Sequence, residues 1–160
     1  MERHYGAIGP VVALLLQLLS PQVAQADDAG LITKPSRYSV PDTIERFEAA
    51  IRSKGWMVFA ELDHAAAAAK YGLELRPRTV VVFGNPKIGT GPMQKAPTLA
   101  IDVPLKALVW QDDQGKVWLT YNSGDYIASY VYPRHGLTVP ADRRGGTEQF
   151  LELISNEATK

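Results

Sequence analysis

The sequence predicts a single-domain α+β protein, and three observations carry that prediction. Some segments repeat apolar residues at helical spacing, while others are short apolar runs of strand length. Two of the strand runs flank Asp112-Asp113-Gln114-Gly115, which has the turn chemistry of a β-hairpin. The length suits one core: setting aside the first 26 of 160 residues leaves 134, enough to bury roughly two-thirds of the unfolded surface.

Those 26 residues read as a secretory signal. Arg3 and His4 precede an apolar run from Val11 to Leu19, and Ala24-Gln25-Ala26 has the small-x-small pattern of a cleavage site. The run is broken by Gln17 and closed by Ser20-Pro21, short of the roughly 20 residues a membrane-spanning helix needs. Cleavage after Ala26 is expected, with export to the periplasm or the extracellular space and no membrane span afterwards. The alternative is a retained N-terminal anchor, since Glu2 weakens the positive charge of the leader.

Residues 27–36 read as a flexible lead-in ending at Pro35-Ser36. From Tyr38 to Gly55 the pattern is an amphipathic helix: Ser39 is placed to cap it, Pro41 suits its first turn, and Ile44, Phe47 and Ile51 share one face. Trp56 to Leu62 is expected to be a buried strand. Asp63 then caps a short helix of five alanines, Ala65 to Ala69, pressed against the sheet and ended near Gly72.

Thr79 to Phe83 is the strongest strand signal, apolar on both faces and therefore interior to a sheet. The Gly- and Pro-rich stretch from Lys87 to Pro97 is expected to be a loop with at most a short helix over Pro92 to Lys95, and Thr98 to Val103 one further helical turn. After the hairpin of Leu105–Gln111 and Lys116–Tyr121, Ser123 caps a helical stripe of Tyr126, Ile127, Tyr130 and Val131 that stops at Pro133. Thr147 to Asn156 reads as a final amphipathic helix.

Charge and composition exclude several functions. Seventeen basic and seventeen acidic residues balance, and loss of Arg3 and Glu2 with the leader keeps the balance, so there is no basic surface for nucleic acid. The absence of cysteine rules out thiolate catalysis, thiolate metal sites and disulfide staples. There is no Gly-x-Ser-x-Gly elbow, His-Glu-x-x-His helix or dinucleotide fingerprint. No short-range metal-ligand pattern exists either, and no cofactor is assigned.

Three ordered motifs carry a family resemblance. They are Glu61-Leu62-Asp63-His64-Ala65-Ala66-Ala67, Phe83-Gly84-Asn85-Pro86-Lys87 with Gly89-Thr90 and Met93, and Ile101-Asp102-Val103-Pro104-Leu105-Lys106. Together they resemble domain-of-unknown-function family 302 over residues 37–137, leaving 138–160 as a linker and C-terminal helix. The resemblance implies a largely antiparallel sheet backed by helices and a tendency to homodimers; it implies no reaction. Thr90-Gly91-Pro92-Met93 departs from the Thr-Pro-Leu-Met usual in that family.

His64 is the first candidate for chemistry. It sits where a strand meets a helix N-terminus, whose dipole favours the neutral imidazole that accepts a proton or binds a metal. Its other reading is a structural plug of that corner. Asp63 reads as a helix cap before it reads as a catalytic acid. The Gly84 to Thr90 loop lacks the lysine placement of a phosphate cradle and reads as a ligand-facing segment, with Asn85 and Thr90 offering hydrogen bonds and Met93 a soft contact. Asp102 is a candidate carboxylate partner for His64, while His135 falls in an apparently exposed segment.

Three functions follow: a binding module of the cell envelope that holds a small-molecule ligand or metal-containing cofactor between His64 and the Asn85–Met93 loop, with haem ligation by His64, Met93 and a residue of a second subunit as one form; a hydrolase using His64 as general base with Asp63 or Asp102; or a structural homodimer with Trp110 and Trp118 at its interface.

Overall fold

The computed structural model describes residues 30–160, so the signal reading of 1–26 and the first residues of the lead-in lie outside the described residues. Five strands form one antiparallel sheet: β1 (Leu31–Ser36), β2 (Met57–Asp63), β3 (Arg78–Gly84), β4 (Leu105–Gln111) and β5 (Val117–Asn122). Their spatial order is β1-β5-β4-β3-β2, so β1 and β2 are the edges. The fold is α+β, as the sequence predicts, because the helices gather on the sheet instead of alternating with parallel strands.

One sheet face carries the core. Val81 and Phe83 of β3, Ala107 and Val109 of β4, Val117, Leu119 and Tyr121 of β5 and Ile32 of β1 are buried there. Over them lie α1 (Val40–Ser53) and α5 (Ala141–Thr159), which supply Phe47, Ile51, Leu151, Ile154 and Ala158. The Phe47 ring meets the Phe83 ring edge-on at 5.4 Å, and Trp56 stacks on Phe150 at 4.0 Å. Edge-to-face pairs of this kind add about 0.5–1.5 kcal/mol beyond the area they bury. α1 begins as its sequence dictates: Ser39 Oγ accepts from the Asp42 amide at 3.2 Å, and Gly55 follows the helix with φ +74°.

Several elements differ from the sequence expectations. Leu31–Ser36 is not a flexible lead-in but strand β1, paired with β5 along its whole length. Its buried face includes Lys34, whose ammonium donates to Glu152, Ser155 and Asn156 of α5. β2 is an exposed edge strand rather than a buried one, and its register shifts between Val58 and Ala60, a β-bulge. The alanine helix α2 (His64–Ala69) forms, with Asp63 Oδ1 accepting from the Ala66 amide at 2.9 Å, yet none of its residues is buried.

The stretch expected as a loop is helix α3 (Pro86–Lys95), because Asn85 caps it through Oδ1 to the Lys87 amide and Pro86 occupies a first-turn position that needs no amide donor. A 3₁₀ turn (Pro97–Ile101) follows. After β5, helix α4 (Gly124–Tyr126) runs into a π-helical turn (Ile127–Val131) and a 3₁₀ turn (Pro133–His135). α5 is longer than Thr147–Asn156 and belongs to the single core instead of trailing behind a linker.

α5 also makes a close backbone approach to α4. A Cβ built on Gly124 would lie 2.6 Å from the amide nitrogen of Glu148 and 2.9 Å from its Cα, and the Gly124 amide donates to Glu148 Oε2 at 2.6 Å. Both opposing atoms are backbone, so a side chain at 124 must push α5 off α4. Gly124→Ala is therefore expected to cost about 1–3 kcal/mol, the usual range for forced overpacking. Denaturant unfolding of the two proteins checks this, and an unchanged midpoint would refute the tight contact.

Candidate functional site

The residues singled out from sequence do not converge. His64 follows the last residue of β2, where Asp63 pairs with Thr79, whereas Asn85 follows the last residue of β3, where Gly84 pairs with Met57. The two segments thus lie at opposite ends of the β2–β3 pair, separated by six strand steps, or roughly 20 Å. A shared hollow between His64 and the Asn85–Met93 segment is not formed within one chain.

Individually they have local roles. The Asp63 carboxylate caps α2, and no hydrogen bond or ion pair joins the exposed His64 ring to another described residue. The carboxylate contact that a general base at His64 requires is missing from both Asp63 and Asp102. Asn85 spends its side-chain oxygen on the α3 cap, Thr90 is exposed on α3, and Met93 is half-buried with its methyl group close to Gly89. Among the described residues no group of three or more His, Asp or Glu is arranged to hold a metal ion, and no helix is long and apolar enough to cross a membrane.

A different histidine is organised. His135, placed by the 3₁₀ turn that ends at Gly136 in the left-handed region, is enclosed rather than exposed, with 5% of its side chain accessible. Its Nε2 lies 2.6 Å from Asp102 Oδ2 and its Nδ1 lies 2.9 Å from Thr98 Oγ1. Asp102 is therefore the carboxylate partner of His135, not of His64. The Arg134 guanidinium stands 3.4 Å from the same carboxylate oxygen.

The partners fix the tautomer. An ionised carboxylate only accepts, so Nε2–H donates to Asp102; in the neutral ring Nδ1 then accepts, and the donor to it is the Thr98 hydroxyl. The hydrogen bond from His135, aided by the Arg134 charge, holds the Asp102 carboxyl below the usual aspartate range. Sequence reasoning flagged Asp102 but missed Thr98 and left His135 unpartnered. The three come from the 3₁₀ turn after α3, the residue following it, and a turn 33 positions further on, which no local pattern connects.

Beside Asp102, a cavity of about 30 Å³ is lined by Leu105, Lys106, Asn122, Ile127 and Leu151 among others. That is room for a single water. A larger ligand does not fit.

The second sheet face is the other feature without an assigned role. Alternation places Val80 and Val82 of β3, Leu108 and Trp110 of β4, Trp118 and Thr120 of β5, and Ala60 and Leu62 of β2 on it, away from α1 and α5. Trp110 and Trp118 stack there at 6.1 Å, and the Phe59 ring lies against Gly84. Leu62 and Met57 are 50% exposed and Phe59 48%. After α2, Tyr71, Leu73 and Leu75 are also exposed, Tyr71 to 84%.

Comparison with known proteins adds a family and a fold. The family model described as "Domain of unknown function DUF302" matches residues 32–148. The fluoride-specific ion channel FluC 1 of Brucella suis biovar 1 (strain 1330) is 44% identical over 122 residues, which are 76% of this chain and 46% of that protein. FluC 1 of Brucella abortus biovar 1 (strain 9-941) is likewise 44% identical over 122 residues, 44% of its own length. The chain spans less than half the length of these relatives. The crystal structure of an uncharacterized conserved DUF302 protein from Bacillus stearothermophilus superposes with a TM-score of 0.66 at 16% identity, covering 81% of this chain and 98% of the other, a likeness of fold.

The Asp102–His135 contact predicts an acid-side dependence. A carboxyl whose folded pKa is depressed contributes stability above its ordinary pKa and loses it as the pH falls through the folded value. Asp102→Asn should thus be less stable at pH 7, by on the order of 1 kcal/mol. The gap from wild type should close as the pH falls from about 4. Thermal unfolding between pH 7 and pH 2.5 measures it; a pH-independent gap would contradict the assignment.

Proposed function

The chain belongs to the DUF302 family, and from that premise we propose that it is an exported association domain of the cell envelope that works as a homodimer through its second sheet face. One observation carries the reading: an uncovered sheet face rich in aromatic residues, next in sequence to a helix and a following segment in which no residue is fully buried.

Two physical arguments support it. Monomeric proteins rarely expose contiguous apolar patches beyond a few hundred Å², and larger ones mark association sites. In addition, a helix of six residues is marginal in water by itself, since isolated helices shorter than about 12–15 residues rarely hold. α2 has an Asp63 cap and good helix formers but no buried residue. Cover from a second copy supplies the missing burial, and its alanines permit close approach. Trp110 and Trp118 give such an interface large area at low entropic cost.

Export is supported by the leader pattern in residues 1–26. The Brucella relatives are named as channels, while the matched segment is under half of their length. The small-ligand reading has less support because its two halves lie apart within one chain.

Sedimentation of the purified protein should give twice the protomer mass at micromolar concentration. Leu62→Lys places a charge on the uncovered face at its β2 edge, on a residue half exposed in the protomer, and should weaken the dimer at least tenfold, roughly 1.4 kcal/mol, with the protomer fold intact by circular dichroism. A wild-type protein that stays monomeric at high concentration would overturn the proposal.

A further inference from the structure

The Thr98–His135–Asp102 array lies in the segments after α3 and after the π-helical turn. We infer that this array is an acyl-transfer site in which His135 activates the Thr98 hydroxyl for attack on small carboxylic esters.

The geometry has two of the relations such chemistry needs. The hydroxyl and the imidazole are in hydrogen-bond contact at 2.9 Å, and the imidazole is held from its other nitrogen at 2.6 Å. Accessibility is divided in the useful sense: Thr98 is exposed to an incoming ester while the His135 ring is enclosed. Asp102 fixes the tautomer that leaves Nδ1 free to accept, and its charge stabilises the imidazolium that forms. It acts as a positioning residue.

The substrate class follows from the neighbourhood. In a 3₁₀ turn the side chains at i and i+3 eclipse, so Ile101 stands on the same face as Thr98, and it is 77% exposed. An apolar residue beside an activated hydroxyl suits a short alkyl acyl group. The water-sized cavity next to Asp102 admits none, so the ester is met at the surface.

The step balances within the array. As the Thr98 oxygen bonds to the acyl carbon, its proton passes to His135 Nδ1; the ester C–O bond breaks and the departing alkoxide takes that proton. Water then attacks the threonyl ester, gives a proton to Nδ1, and the released Thr98 oxygen recovers it as the carboxylic acid leaves.

The full-length protein, treated with an alkyl fluorophosphonate, should gain one adduct, mapped by peptide mass to Thr98, with fluoride displaced from phosphorus. Hydrolysis of p-nitrophenyl butyrate should fall at least tenfold in Thr98→Ala and in His135→Gln, and Thr98→Ser should retain it. Thr98→Ala changes an exposed side chain, so its unfolding midpoint should stay close to wild type even if His135→Gln fails to fold. In Asp102→Asn the pH at which the rate rises should shift. An unlabelled Thr98, or equal p-nitrophenyl butyrate rates for wild type and Thr98→Ala, would overturn the inference, whatever the oligomeric state.

Discussion

The constraint on which this structure rests is that a five-stranded sheet with two apolar faces has two long helices, and both lie on the same side. α1 and α5 close over Val81, Phe83, Val109 and Leu119, with the Phe47–Phe83 contact at the centre. Hydrophobic burial is non-directional and rewards area wherever it is found, so nothing in the core itself favours one face over the other. What decides is connectivity. α1 joins β1 to β2, on the two edges, and α5 follows β5, so both pack back across the same strands. The remaining face keeps its tryptophans, valines and leucines, and that residue of unspent apolar area is the reason an association role is favoured over a pocket.

The seam between α5 and the sheet is polar in an unusual place. Lys34 is buried on β1, and burial pulls its ammonium below the ordinary lysine range, while three acceptors on α5 compensate. Glu152 answers with a carboxyl held low by the same ammonium. Tyr121, hydrogen-bonded to Ser155 in the same seam, is pushed up to about 12 by burial. Such a network adds little net stability compared with an apolar seam, but it tolerates one register of α5 against β1 and penalises others through unpaired charge. The position of α5 in turn fixes Gly124 and the turns after it, which bring His135 to Asp102.

Much of the fold was legible because local chemistry and burial agreed. Ser39-x-x-Asp42, the Asp112–Gly115 turn and the Ser123 cap each specify their element from within a few residues, and the structure contains all three. Misreadings arose where a local feature carried two meanings. Lys34 and Pro35 look like solvent-facing lead-in, yet Lys34 is buried by partners that lie in the last helix. Gly89, Gly91 and Pro92 look like loop, although Asn85-Pro86 is a helix start and the glycines adopt ordinary helical angles. The Asp102–His135–Thr98 contact had no local signature: residues 98 and 102 share one turn, but the ring between them is delivered by tertiary structure.

The two edge strands bear on how far association can go. Pro35 removes a backbone donor from β1, and the bulge at Val58–Ala60 twists β2, which also presents Glu61 and Asp63. A neighbour attempting to extend the sheet meets a missing amide on one side and a kinked, acidic ladder on the other. Growth sideways into fibrils is thereby discouraged at both margins. An apolar plate this exposed can be tolerated at high concentration because its stickiness is confined to one direction.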